Sequence, residues 1–334
     1  MFVVDRPAIM NFDVPEHLKN RVTISDRLPS QYHSHRVPGT KVHYTEGSFG
    51  AYFKQEFISD DFIIGWLNFD IREHVYLYPI TETPLLALYT GFEGNIPCEL
   101  QGSAAKLMLP EKKFAFYYVP PMAFNRAEFA PAHYTAVYIS FSNSFMQRFT
   151  NKYEAYKTLV DKQLRGEQEG EQKNLIPTGH AEKELFKAMR SYDQSEAMME
   201  FHLQGNVMVL TAQYFNLLLN RRQVPPTLLH ACDYIQENLG EDLSAATIAR
   251  KVGSHSMALN KLFKDQYGKN VRQYLTQKRL EEAEYRLITT NELVWEIAAF
   301  TNLTDASHLV RLIRGKHGIT PEEFREKNRL HRAG

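Results

Sequence analysis

Cysteine is nearly missing from this 334-residue chain: Cys98 and Cys232 are the only two. They are far apart and lie in no Cys-x-x-Cys or Cys/His spacing, which excludes a disulfide framework and a structural zinc site. Each reads as a buried thiol, and so low a count points to a reducing, cytoplasmic setting. No apolar run reaches about 18 residues, so no membrane span is expected. The opening stretch, Met1-Phe2-Val3-Val4-Asp5-Arg6-Pro7, lacks a basic region followed by an apolar core, and no signal peptide is expected. Net charge is missing as well: Lys and Arg total 39, and so do Asp and Glu. A polyanion would therefore have to be met by a local patch and not by global charge. Sets for nucleophilic catalysis, Gly-rich phosphate loops and paired-carboxylate motifs are all lacking, so an enzyme is not expected.

What is present begins with ordinary folded material. A hydrophobic fraction of 43% with 23% charged residues fits packed domains and not disorder, and the length allows two or three of them. Within the last third, one short design occurs twice. The first copy runs Ile248-Ala249, Gly253, Leu259, Phe263-Lys264, Gly268. The second runs Ile297-Ala298, Asn302, Leu309, Ile313-Arg314, Gly318, at an offset of ~49 residues. Two copies are too few for a solenoid, so they read as two related supersecondary units.

Each copy predicts a short helix, a tight turn and a second helix. Leu243, Ile248 and Val252 face inward in the first; Gly253 supplies the turn, and Ser254 or Ser256 the next cap. Leu259, Leu262 and Phe263 are then buried, and Gly268 ends the helix. In the second copy Asn302 takes the turn, being the non-glycine residue that best tolerates left-handed backbone. Thr304 or Asp305 caps a helix that buries Leu309, Leu312 and Ile313, and Thr320-Pro321-Glu322-Glu323 opens a closing helix. Val271 to Ile288 is rich in helix formers and would space the copies by ~25 Å. One such copy could equally be a plain helical hairpin. Two in register point to helix-turn-helix units facing successive major grooves.

The residues between the apolar stripes would then meet the duplex. Ser256, Met257, Asn260 and Lys261, with Ala306, Ser307, Val310 and Arg311, are the candidate base readers. Asn can pair with adenine, Lys and Arg with guanine, and Ala or Val with the thymine methyl. Lys264, Arg314 and Lys316 suit phosphates. This part of the chain is only weakly basic, with a basic tail over Arg325-Glu326-Lys327-Asn328-Arg329-Leu330-His331-Arg332.

Leu243 to Arg325 resembles the DNA-binding domain of the AraC/XylS family of bacterial transcription regulators. The matching stretches include Leu243-Ser244, Ile248-Ala249, Gly253, Phe263-Lys264, Gly268, Tyr274-Leu275, Arg279-Leu280, Ile297-Ala298, Gly318-Ile319-Thr320-Pro321 and Phe324-Arg325. There are departures: His255 replaces the usual Ser, Asn302-Leu303 the usual Gly-Phe, and Leu309 and Ile313 stand at aromatic positions. The resemblance implies double-stranded DNA and RNA polymerase as partners, and a dimer.

Upstream, Gly50 to Phe141 carries short aromatic and β-branched runs: 62–69, 74–80, 85–89, 105–109, 114–119 and 134–141. They predict a β-sandwich or small barrel, and Pro120-Pro121 through Phe141 is similar to the last hairpin of a cupin-like sensor domain. Residues 1 to about 50 read as short extended pieces or an arm. Trp66, Tyr76, Tyr78, Tyr89, Tyr118 and Tyr138 are core aromatics or, together, the lining of a small-molecule effector pocket. His33 and His35 followed by Glu46 resemble half of a cupin metal motif whose other half is not evident, so no metal or cofactor is expected.

From Asn143 the pattern turns helical. Residues 163–174 read as a solvated loop, 181–192 as a helix and 195–222 as a long helix. In the long one Met199, Leu203, Val207, Leu210, Tyr214, Leu217 and Leu218 are a core face or a dimer seam.

The expected architecture is α+β and multidomain. Residues 1–160 form a cupin-like β-sandwich or barrel that senses an effector. Residues 175–222 are a helical dimerisation or support segment, 223–227 a linker, and 228–334 an all-α DNA-binding domain with two helix-turn-helix units. The expected protein is a cytoplasmic, homodimeric transcription regulator; a metal-binding sensor or enzyme domain fused to a DNA-binding module is the alternative.

Overall fold

The computed structural model describes residues 5–102, 107–122, 124–150, 154–191, 196–222, 224–303 and 305–330. The chain divides into two compact units, Met1–Leu218 and Leu219–Gly334. Thr304, the strand start at Ala105, Gln223 of the linker, and His331 and Arg332 of the basic tail lie outside the described residues.

The first unit is built from β1 (Asn11–Asp13), β2 (Thr23–Ser25), β3 (Lys41–Gly47), β4 (Gly50–Ile58), β5 (Phe62–Ile71), β6 (Val75–Ile80) and β7 (Leu85–Glu93). It continues through β8 (Ile96–Glu99), β9 (Leu107–Leu109), β10 (Lys113–Val119), β11 (Arg126–Phe129), β12 (Ala132–Phe141), β13 (Glu171–Gln172) and β14 (Ile176–Pro177). Among the described residues nine of these form one sheet, in the order β13-β10-β7-β12-β5-β4-β3-β2 with β14 also on β10. The other five form a second sheet, β1-β6-β11-β8-β9. The helices of this unit are α1 (Asn143–Thr150), α2 (Glu154–Arg165), α3 (His180–Arg190) and α4 (Glu196–Arg222).

The large sheet is buried on both faces, and side-chain parity sorts them. Trp66, Leu88, Phe116, Tyr118, Val137 and Ile139 pack against the helices. Their strand neighbours Leu67, Ala87, Tyr89, Tyr117, Ala136 and Tyr138 pack against the small sheet. On α4, Met199, Leu203, Val207, Leu210 and Tyr214 join the first of these cores. The core-face reading of that stripe is therefore the one realised, and the helical segment belongs to the first unit and is not a separate body.

Two expectations are corrected. Residues 41–47, in the stretch read as short extended pieces or an arm, pair with Gly50–Ile58 in the β3–β4 hairpin, closed where Gly47 pairs with Gly50. Its alternation is hidden because Lys54, Gln55 and Glu56 are all buried. Residues 163–174 are only partly a loop, since β13 pairs with β10 and Lys162 Nζ lies 3.3 Å from Glu171 Oε2.

Lys54 carries the hairpin's burial. Its Nζ donates to Glu56 Oε1 at 2.9 Å, to the Met10 carbonyl at 2.9 Å and to Asn11 Oδ1 at 2.7 Å. The Tyr138 hydroxyl donates to Glu56 Oε1 at 2.6 Å. Desolvation pulls the Lys54 pKa below its ordinary value, and Glu56 opposes that shift.

The second unit is all helical: α5 (Pro226–Glu237), α6 (Ala245–Lys251), α7 (Ser256–Tyr267), α8 (Val271–Thr289), α9 (Val294–Phe300), α10 (Ala306–His317) and α11 (Pro321–Leu330). Pro226 takes the first position of α5, where its missing N–H costs nothing. The unit has two small cores joined by α8. Val271 and Leu275 belong to the first, with Leu243, Ile248, Leu259 and Phe263. Leu280, Ala283 and Leu287 belong to the second, with Ile297, Leu309, Ile313 and Phe324.

Removing one member of a buried ion pair leaves the other charge uncompensated. Lys54→Met is therefore expected to lower the first unit's unfolding free energy by about 3–5 kcal/mol. The double variant Lys54→Met/Glu56→Gln should regain most of that loss. Urea unfolding followed through Trp66 in a Trp295→Phe background measures both.

Candidate functional site

Each helix pair of the second unit turns on a left-handed residue. Gly253 has φ +65°, and Asn302 adopts φ +48° without being glycine. The second helices end alike, on Gly268 at φ +67° and Gly318 at φ +74°. At the start of α10 the Asp305 side chain accepts from the His308 N–H at 2.7 Å. The start of α7 departs from expectation: His255, not Ser254 or Ser256, holds the cap position, and its side chain makes no cap bond.

The repetition runs beyond the spacing visible in the sequence. One residue before each terminal glycine and six after it, an aromatic pair forms: Tyr267 with Tyr274 at 4.9 Å, and His317 with Phe324 at 4.5 Å. Two residues after each glycine, Asn270 caps α8 and Thr320 caps α11.

The candidate readers divide by exposure. Met257 is 86% exposed. Lys261, Ser307 and Arg311 are exposed, and Ser256, Ala306 and Val310 are half-buried. Among the described residues neither Lys261 nor Arg311 has an ion-pair partner. Lys264 and Arg314 are exposed one turn further along their helices.

Two candidates are committed elsewhere. Asn260 Oδ1 accepts from the Val271 N–H at 3.0 Å, and its Nδ2 donates to the Ser256 carbonyl at 3.0 Å. The Val271 bond holds α7 to α8, so the orientation of the Asn260 amide is set by the fold. Lys316 Nζ pairs with Glu284 Oε2 at 2.8 Å, and His317 Nε2 with the other oxygen at 2.8 Å. A phosphate would have to displace that bond.

The residue that places both helix pairs is Arg279, on α8 between the two cores. Its guanidinium donates to the Leu239 carbonyl at 2.9 Å, the Glu241 carbonyl at 2.5 Å and the Asn302 carbonyl at 2.9 Å. The first two precede α6; the third is the turn residue between α9 and α10. Nothing in the sequence marks this role of Arg279, because its acceptors are backbone atoms far away in the chain. A Cβ added at Gly240 would lie 2.8 Å from the Phe300 carbonyl, so the first loop presses directly on the second pair.

The first unit holds an apolar cavity of about 60 Å³ between its two sheets. Of the six candidate pocket aromatics, Tyr89 and Tyr138 line it, alongside Met10, Phe12, Phe69, Tyr117 and Phe129. Trp66 and Tyr118 face the helices instead. Tyr76 and Tyr78 are the half-buried positions of β6, whose partners Val75 and Leu77 point inward. Parity along β10 would have selected Tyr117 over Tyr118. Burial pushes the Cys98 thiol up to about 12 and raises the Tyr89, Tyr117 and Tyr138 phenols. The lining is therefore uncharged at neutral pH. His33, His35 and Glu46 do not converge: His33 Nε2 lies 3.1 Å from the Leu28 carbonyl, His35 packs on Phe53, and Glu46 holds Tyr44 and Arg72.

Comparison with known proteins bears on the second unit. A family described as "Helix-turn-helix domain" matches residues 248–327. An uncharacterized HTH-type transcriptional regulator of Staphylococcus aureus is 30% identical over 94 residues, which are 28% of this chain and 13% of that protein. The bifunctional transcriptional activator/DNA repair enzyme AdaA of Bacillus subtilis is 28% identical over 98 residues, 29% of this chain and 46% of that one. The matches thus span less than half of each relative's length. A solved transcriptional regulator from Chromobacterium violaceum, described as AraC-type DNA-binding domain-containing, is 29% identical; it covers 31% of this chain and 92% of its own, with a TM-score of 0.30. The helix-turn-helix match therefore begins inside α6 and takes in the rest of both helix pairs described above.

Proposed function

We propose that the chain is a sequence-specific transcription regulator whose second unit reads two successive major-groove segments of double-stranded DNA, one with α7 and one with α10. The observation that carries this is the matched display of Met257 and Lys261 on one helix and Ser307 and Arg311 on the other, with both helices fixed to a common frame by Arg279. The helix-turn-helix match supports it. α8 has 19 residues, a length of about 28 Å, which suits grooves roughly 34 Å apart. Lys261 and Arg311 take guanine edges, Val310 and Ala306 thymine methyls, and Lys264 and Arg314 phosphates.

The first unit, with its two-sheet cupin-like build, acts as the sensor. Its uncharged cavity suits a neutral apolar effector. At about 60 Å³ it is small beside ordinary ligand pockets of about 300 Å³ or more, so binding requires its wall to give. The regulator works in the cytoplasm as a homodimer and acts on RNA polymerase.

Selection of bound sequences from a random duplex pool tests the main reading, and recovery of no preferred sequence would sink it. On the selected site, Arg311→Ala should cost about 1–3 kcal/mol and relax base choice at one position. Lys264→Ala should weaken all sequences alike and flatten the salt dependence by about one phosphate. Arg279→Gln should lower affinity for the full site about tenfold while sparing a duplex that offers one groove segment, because the penalty falls on holding two prongs in register. Titrations with full and half duplexes separate these cases.

A further inference from the structure

Ten tyrosines of the first unit are buried, and nine of them use the hydroxyl in a hydrogen bond. Tyr118 donates to the Glu167 carbonyl at 2.7 Å, Tyr134 to the Ala130 carbonyl at 3.0 Å and Tyr52 to the Phe12 carbonyl at 2.8 Å. Six more are bonded as well. Tyr89 is the exception. It is 7% exposed, and its hydroxyl has no hydrogen-bond partner among the described residues. A buried hydroxyl left unpaired costs stability, and phenylalanine would fill the same space without that cost. Packing alone does not explain why this position carries an oxygen.

Its surroundings do. Tyr89 lines the apolar cavity between the two sheets. Its backbone pairs with Ala115 of β10 on one side and Tyr138 of β12 on the other, and its ring stands edge-on to Tyr117 at 5.9 Å. Burial raises the Tyr89 phenol, and the Tyr117 phenol and Cys98 thiol beside it add to the shift, so these three heads share one part of the cavity. The Tyr117 oxygen accepts from Gln172 Nε2 at 2.7 Å, which leaves its hydrogen to give. Tyr138, the other tyrosine of the lining, spends its hydrogen on Glu56. This part of the wall therefore offers donors, and no lining side chain is a carboxylate, an amide or a cation.

That chemistry selects a ligand class. An anion would enter without a counter-charge, which burial penalises heavily. An alcohol or amine would bring hydrogens that need acceptors of their own. A carbonyl oxygen brings lone pairs alone and can accept from two hydroxyls at once. We propose that Tyr89 is the polar anchor of this cavity, and that the effector is a compact neutral carbonyl compound whose oxygen accepts from the Tyr89 hydroxyl. This rests on the sensor reading of the first unit and narrows it from any apolar molecule to one with a single acceptor. An analogue lacking the oxygen is rejected because it leaves the phenol unpaired.

The test uses the full chain and two probes of one shape, cyclohexanone and methylenecyclohexane, which differ by an oxygen against a CH2. Each probe is titrated into wild type and Tyr89→Phe, so that its own hydration cancels in the comparison. Tyr89→Phe should weaken cyclohexanone about tenfold and leave methylenecyclohexane unchanged. The infrared carbonyl stretch of bound cyclohexanone should lie lower in wild type than in Tyr89→Phe, because donation to the oxygen weakens the double bond. Without ligand, Tyr89→Phe should unfold no earlier than wild type, whereas Tyr118→Phe, which loses its bond to the Glu167 carbonyl, should unfold at a lower temperature. Equal effects of Tyr89→Phe on both probes, or a Tyr89→Phe that unfolds as early as Tyr118→Phe, overturn the anchor and leave an apolar sensor cavity standing. A wild type that takes up neither probe at millimolar concentration overturns the anchor and the sensor reading together, but not the DNA reading.

Discussion

The second unit depends on one guanidinium. Its two small cores share only α8, and a single helix does not by itself fix how a pair at one end is rotated relative to a pair at the other. Arg279 supplies that constraint by holding three carbonyls from both sides of the junction. Bonds from a charged donor are stronger than neutral ones, and the acceptors are loop and turn carbonyls that lack partners from a helix of their own. Burial pulls the Arg279 pKa down from its ordinary value, yet an arginine remains charged across the physiological range. Lysine could not serve, because one ammonium cannot span three acceptors set in a fork. The contact between Gly240 and the Phe300 carbonyl adds a steric stop on the same junction. The frame is thus set before any duplex arrives, and less ordering remains to be done on binding.

The first unit solves a related problem with a sheet. Burying both faces of β5, β7, β10 and β12 gives each strand two sets of neighbours, and consecutive residues serve different cores. Tyr138 and Tyr89 are direct cross-strand partners on the cavity face, while Ile139 and Leu88, one step on, pair on the helix face. The polar group inside, Lys54 with Glu56 and Tyr138, ties the arm that supplies Met10 and Phe12 to the wall of the cavity. The apolar cavity therefore lies beside a buried polar cluster.

Legibility in the sequence followed periodicity. β5, β6, β7, β9, β10 and β12 and the helices from Ala245 to His317 have apolar residues at regular steps and were readable, whereas the short β8 and β11 were not. The β3–β4 hairpin was not, since a buried Lys-Gln-Glu run looks exposed until its partners are known. The pocket was half legible: aromatics mark a core, but the face each one takes is set by strand register. α4 was legible as a helix, while a stripe at three-four spacing could not say whether its cover was the sheet or another chain. The bonds made by Arg279, Asn260 and Lys316 were not legible in the sequence, for one reason. Their partners, Asn302, Val271 and Glu284, are distant in sequence or lie on the backbone, where residue identity gives no signal.

The fate of Asn260 shows why two copies of one design need not read DNA alike. Val271 opens α8 fully buried, and its N–H is one of the first-turn donors that a helix cannot satisfy internally. Asn260 satisfies it. In the second copy the equivalent helix opens with Pro321, which has no N–H to satisfy. The position matching Asn260 there is Val310, which has no amide and needs none. Proline in one copy thus frees the position that the other copy commits to its own fold. The second helix pair has an apolar side chain at that point, while the first has a fold-bound asparagine between the exposed Met257 and Lys261. If the two copies arose from one design, their divergence at this position follows from the chemistry of a single backbone nitrogen and does not require separate selection for two different bases.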